Sequence, residues 1–181
     1  MRAGDEASAI EVRYPQAGDG AAVHRLIARC PPLDPNSTYC NLLQCTHFAA
    51  TCVLAERGQQ VVGFISAYRL PQRPQTLFVW QVAVDPSARH RGLGLRMLST
   101  LLGGSGCNGV TELETTITPD NAASWRLFRA LARALNTKLI ERPMFDRERH
   151  FGGQHASEML AHIGPFQSAF MKQADVPRRT A

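Results

Sequence analysis

From Phe78 to Val84 the sequence is almost continuously apolar, it breaks at Asp85-Pro86, and after Gly92 and Gly94 a second apolar run begins with a different period. The first run, Phe78-Val79-Trp80-Gln81-Val82-Ala83-Val84, has the length and β-branched content of a buried strand. The second places Leu95, Leu98, Leu101 and Leu102 at helical spacing until Gly103, Gly104 and Gly106 end it. A strand that turns within a few residues into a glycine-rich helix start leaves little choice of local geometry. Gly92 and Gly94 let the backbone approach a ligand, the first amides of the helix point outward, and the helix dipole adds roughly half a positive charge there. Arg89, Arg91 and Arg96 reinforce that charge, so the turn suits a diphosphate. Two common phosphate loops are excluded: a dinucleotide fingerprint needs a third glycine where Met97 stands, and a Walker loop needs the absent Gly-Lys-Ser/Thr.

The elements around this turn set the fold class. Ile10 to Tyr14 alternates and reads as a strand, and Ala22, Val23, Leu26 and Ile27 follow at helical spacing. Cys30-Pro31-Pro32-Leu33-Asp34-Pro35 is too rich in proline to be regular and suits a rigid, substrate-contacting loop, before a short helix through Tyr39, Leu42, Leu43 and Phe48. Strands are expected at Thr51 to Glu56, Gln60 to Leu70 and Thr76 to Asp85, as an antiparallel meander. Val110 to Thr118 is a further strand, a helix carries Trp125, Leu127, Phe128 and Leu131, and Leu139 to Phe145 and Met159 to Phe166 close the chain as strands. The class is α+β: one mixed, mostly antiparallel sheet of about seven strands with helices on both faces. A single domain over 10–171 is expected, with frayed tails at 1–9 and 172–181.

At 181 residues and 44% hydrophobic the chain has an ordinary globular composition, which argues against a disordered or fibrous protein. No apolar run is long enough to span a bilayer and no secretory leader stands at the start, so a cytoplasmic protein with no membrane partner is expected. The five cysteines, Cys30, Cys40, Cys45, Cys52 and Cys107, lack paired spacing and read as reduced packing residues. A formal charge of +5 permits an anionic ligand, but the basic residues form no stripe with interleaved aromatics, so nucleic acid is not expected. His150 and His155 are five apart rather than the four of a helical zinc pair, and no metal is expected.

Arg89-x-x-Gly92-x-Gly94 after a Val-Ala-Val-Asp-Pro strand resembles the coenzyme A signature of the Gcn5-related N-acetyltransferases (GNAT), and the element order agrees over most of the chain. The resemblance implies acetyl-CoA as acetyl donor, with its diphosphate held by the amides of Arg89, His90, Arg91, Gly92, Leu93 and Gly94. It further implies that the backbone of Val82, Ala83 and Val84 pairs with the pantetheine arm, and that the Val82 amide points at the thioester carbonyl as an oxyanion donor, which is worth roughly 3 kcal/mol. The family's second element reads here Asn121-Ala122-Ala123-Ser124-Trp125-Arg126-Leu127-Phe128: Asn121 and Ser124 match, while Phe128 replaces the tyrosine that protonates the departing thiolate in many relatives. Either another group is the acid or the thiolate, with a pKa near the cysteine value of about 8.5, leaves unaided.

Five further segments are more specific: Cys30 to Ser37, Tyr39 to Leu43, Phe78 to Val84, Glu114 to Trp125, and Phe151-Gly152-Gly153-Gln154-His155 together look like the diaminobutyrate acetyltransferases of ectoine biosynthesis. That resemblance implies acetyl transfer to the 4-amino group of L-2,4-diaminobutyrate, an osmoprotective role, and a homodimer. The amine must lose a proton before attack, which at pH 7 costs roughly 4 kcal/mol for a pKa near 10. Strand alternation puts Glu112 and Glu114 on one face, and Glu114 is the expected proton acceptor or else a structural carboxylate paired with an arginine. Asp34 and Glu158 are the expected partners of the substrate ammonium groups, and Trp80 offers an aromatic face to a cation. Tyr39 is a substitute for the missing helix tyrosine, a contact for the substrate carboxylate, or a packing residue, and His155 a substrate contact or structural histidine. A different small amine or peptide acceptor, and a non-catalytic acyl-CoA binding module, are the competing functions.

Overall fold

The computed structural model describes residues 9–167. Seven strands, β1 (Ile10–Arg13), β2 (Val53–Arg57), β3 (Gln60–Leu70), β4 (Arg73–Val84), β5 (Glu112–Ile117), β6 (Leu139–Phe145) and β7 (Glu158–Ile163), form one sheet in the order β1-β2-β3-β4-β5-β7-β6. Only β4 and β5 run parallel; the other neighbours are antiparallel. A parallel pair needs a crossover, and α3 (Leu93–Gly103) supplies it. The remaining helices are α1 (Gly20–Ala28), α2 (Thr38–Gln44), α4 (Ala122–Ala134) and α5 (Arg147–Phe151).

Each face of the sheet has its own core. Met97, Leu98 and Leu101 of α3 and Trp125, Phe128 and Leu131 of α4 pack with Leu77, Val79, Leu113, Ile117 and Ile163 on one side. Val23, Leu26 and Ile27 of α1 pack with Leu54, Phe64 and Ala83 on the other. Gly63 lets α3 lie close on the sheet: a Cβ there would stand 2.8 Å from the Met97 sulfur and 3.0 Å from the Ala55 Cβ. At the far edge Arg13 ties β1 to β2 and to the start of α1 through Glu56 and Asp19.

Val79 and Ala83 are four residues apart on one strand, which should place them on the same face, yet they join opposite cores. A bulge reverses the alternation between them. Ser66 pairs with Gln81 and Ala67 with Val79, so Trp80 has no partner across the ladder.

The strand limits differ from expectation where turns intervene. β4 starts at Arg73, three residues early, because the hairpin after β3 needs only Pro71-Gln72, and Thr51 lies in a short 3-10 turn before β2. β7 ends at Ile163, before Gly164-Pro165, and α5 is an unforeseen helix whose first amides are capped by the Asp146 carboxylate. The tails expected at 1–9 and 172–181 lie, Ala9 apart, outside the described residues. All five cysteines are free thiols; Cys45, Cys52 and Cys107 are buried, and burial pushes each thiol up to about 12. No described helix is long and apolar enough to cross a membrane, and no group of three potential metal ligands occurs among the described residues.

Candidate active site

The β4 and β5 ladder runs only from Thr76 to Phe78 and from Glu112 to Glu114, and just past it the Thr115 hydroxyl donates to the Val79 carbonyl at 2.9 Å. Beyond it the last turn of β4 has no neighbour on the β5 side. A groove of about 600 Å³ occupies this region, bounded by Val82 and Val84, by the turn into α3, by α4 and by Cys30 to Leu33.

The turn at its mouth is shaped to present N–H groups. His90 and Gly92 have φ of 61° and 71°, so successive amides converge rather than alternate. Among the described residues the N–H groups of His90, Arg91 and Gly92 donate to no protein acceptor. They stand directly before the first turn of α3, whose own amides lack intrahelical partners. Such a cluster fits a diphosphate, which satisfies several donors at once. Arg89 bonds the Val84 carbonyl at 3.0 Å, and Arg96 reaches the Ile10 carbonyl, so these two guanidiniums brace the turn.

Of the residues expected to hold the donor, Val82, Val84, Arg89, His90, Gly92, Leu93, Gly94, Asn121 and Ser124 line this groove. Ala83 turns its side chain into the α1 core, and Arg91 is exposed outside the lining. Asn121 spends its side-chain oxygen on capping α4, accepting from the Ser124 N–H at 3.0 Å. Phe128 is 2% exposed in the core and does not line the groove, so the position offers no proton donor. The sequence reading missed Arg126, Leu127 and Ala130, which also line the groove; their spacing from Ala123 on α4 is the signal that would have found them.

The residues expected to meet the amine lie on the other side of the sheet. Gln81 donates to the Asp34 carbonyl at 2.8 Å and accepts from Asn36 at 3.3 Å, which clips the proline loop to β4 beside the bulge. There Trp80 is 49% exposed. The Asp34 carboxylate accepts from the Asn36 N–H, and Tyr39 stands 69% exposed at the start of α2. His155 packs on Phe151 with ring centroids 4.7 Å apart, and its Nδ1 lies 2.7 Å from the Ala156 carbonyl.

Glu114 and Glu158 differ most sharply. Their strand neighbours Leu113 and Met159 face the α3 and α4 core, so both glutamates face away from it. Glu114, 2% exposed, receives two hydrogen bonds from Arg73 at 3.0 and 2.8 Å, and His162 Nδ1 lies 3.2 Å from it. Burial works to raise its pKa, but the hydrogen bonds and charges of Arg73 and His162 outweigh that and hold the carboxyl below its ordinary value. This is the geometry of the arginine-paired carboxylate, the second of its two expected roles. Glu158 has no such partner. Its Oε2 is buried without a hydrogen bond, and burial raises its pKa despite the opposing charge of His155 and the Thr116 hydroxyl.

A sheet parted at its centre with outward amides at the mouth of the gap suits an acyltransferase, and residues 21–132 match the acetyltransferase (GNAT) family; the chain belongs to it. Ard1 from Thermoplasma volcanium shares the fold, with a TM-score of 0.67 over 86% of this chain and 99% of that one at 18% identity. Within the family the chain groups with the L-2,4-diaminobutyric acid acetyltransferases. It is 55% identical to that of Methylotuvimicrobium alcaliphilum over 88% of this chain and 92% of that protein, and 51% identical to that of Bordetella parapertussis over 86% and 84%. The diaminobutyrate acetyltransferase of Paenibacillus lautus, solved in complex with its substrate L-2,4-diaminobutyric acid and coenzyme A, superposes with a TM-score of 0.85 at 42% identity, covering 88% of this chain and 97% of that one.

Proposed function

We propose that this acetyltransferase moves the acetyl group of acetyl-CoA to the 4-amino group of L-2,4-diaminobutyrate, giving N4-acetyl-L-2,4-diaminobutyrate for ectoine biosynthesis. The observation that carries the reading is the parting of β4 from β5 with the amides of His90, Arg91 and Gly92 unpaired at its mouth. A diphosphate held there, with a pantetheine arm laid along Val82 and Val84, brings a thioester to the gap between the strands. The Val82 amide then serves the carbonyl oxygen as it gains charge.

Glu158 receives the proton of the substrate ammonium, because a buried carboxylate with an unpaired oxygen and a raised pKa is a better base than one neutralised by arginine. The freed nitrogen attacks the acetyl carbon, the carbon–sulfur bond breaks as the tetrahedral adduct collapses, and the nitrogen sheds its second proton to the thiolate or to solvent. Asp34, Tyr39, Trp80 and His155 frame the amine, and the Trp80 face suits its cationic end. Glu114 braces the sheet behind it.

The protein acts as a homodimer in the cytoplasm. Ile140, Met144 and Phe145 on the edge strand β6 are 54%, 41% and 37% exposed, and an apolar edge of this kind is usually covered.

Purified protein mixed with acetyl-CoA and a panel of diaminobutyrate, ornithine, lysine, a polyamine and a peptide should release free thiol fastest with diaminobutyrate, with the product acetylated at N4 by NMR. A preference for another amine would overturn the acceptor. Coenzyme A binding without turnover of any amine would overturn the enzyme reading.

A further inference from the structure

We propose that Arg126 reads the 3′-phosphate of coenzyme A and so distinguishes the cofactor from its dephospho form. This rests on the acetyl-CoA reading above and adds to it a second anion site. Coenzyme A carries a diphosphate and, separately, a phosphomonoester on its ribose. The turn before α3 answers the first with backbone N–H groups, which leaves the second needing a cation of its own.

The arginines around the groove are not equivalent. Arg89 is bonded to the Val84 carbonyl and Arg96 to the Ile10 carbonyl. Arg129 is paired with Glu141 at 2.8 Å and lies over the Trp125 ring at 5.3 Å. Arg126 lines the groove and is exposed, and its guanidinium makes no hydrogen bond or ion pair to another described residue. Three residues before it on α4 is Ala123 and four after it Ala130, both also in the lining. The arginine therefore stands at a groove wall of small side chains that leaves room for a nucleotide. A guanidinium offers a planar fork of donors that matches a phosphate bidentately, which a diphosphate already held by amides does not require.

The test is calorimetric binding of coenzyme A and of 3′-dephospho-coenzyme A to the wild type and to Arg126→Ala and Arg126→Lys, each variant first checked for an unchanged melting curve. The wild type should bind coenzyme A about tenfold more tightly than the dephospho form. Arg126→Ala should bring that ratio close to one while leaving the dephospho affinity unchanged, and Arg126→Lys should restore part of it. An Arg126→Ala protein that keeps the wild-type ratio, or that loses affinity equally for both ligands, overturns the assignment while acetyl-CoA binding stands. If the wild type binds neither ligand, the acetyl-CoA reading falls with it.

Discussion

Glu114 and Glu158 are the same side chain on the same face of one sheet, and their surroundings give them opposite chemistry. Removing the charge of Glu114 takes the anion from Arg73 and weakens its hydrogen bonds, so Glu114→Gln should lower stability at pH 7 by about 2 kcal/mol. The folded carboxyl sits below its unfolded pKa, so this contribution is present above the ordinary glutamate value and is lost as pH falls through the folded value. Urea denaturation at pH 7 and pH 4 should therefore give a difference between wild type and variant that shrinks in acid. Glu158→Gln tests the proposed base instead. It should cut kcat about a hundredfold and remove the acid limb of the pH–rate profile, a limb that lies above the ordinary glutamate range because burial raises this group. A surviving limb would rule Glu158 out as the base. That carboxylates were needed was legible from the amine's pKa. Which glutamate stays available was not, because the partners of Glu114 are 41 and 48 residues away in sequence.

At the scale of elements, the strand, turn and helix from Phe78 to Gly103 could be read almost entirely in advance, since apolar period and glycine placement are local properties. The bulge at Trp80 could not. It depends on the register with β3, and it is what sends Gln81 to the Asp34 loop and Ala83 to the α1 core. The capped turn of α5 was missed because its few residues lie amid charged side chains that carry no period. The turn before α3 makes its own prediction. Gly92 has φ of 71° with open space where a Cβ would stand, so Gly92→Ala meets backbone strain of about 1 kcal/mol rather than a clash. The melting temperature should drop modestly while KM for acetyl-CoA rises, as the amides of residues 90–92 turn out of alignment. An unchanged KM would mean that the turn does not hold the donor.

For the whole molecule, the sheet order and the helices on both faces followed from element order, but the outer edge carries a feature that periodicity did not reveal. β6 is exposed along most of its length, and Ile140 and Met144 lie on it. Replacing both by aspartate should convert the proposed dimer to a monomer in sedimentation experiments, with little change in the melting temperature of the isolated chain. A variant that still sediments as a dimer would place the subunit contact elsewhere.

Because two central strands stop pairing partway along their length, the middle of the sheet carries a gap that the groove opens onto. On the proposed function, the long donor lies in the groove along α3 and α4 and the short amine meets it at the gap from the face that carries Glu158. On that reading donor and amine are held at the same time, so initial-rate lines for the two should converge rather than run parallel.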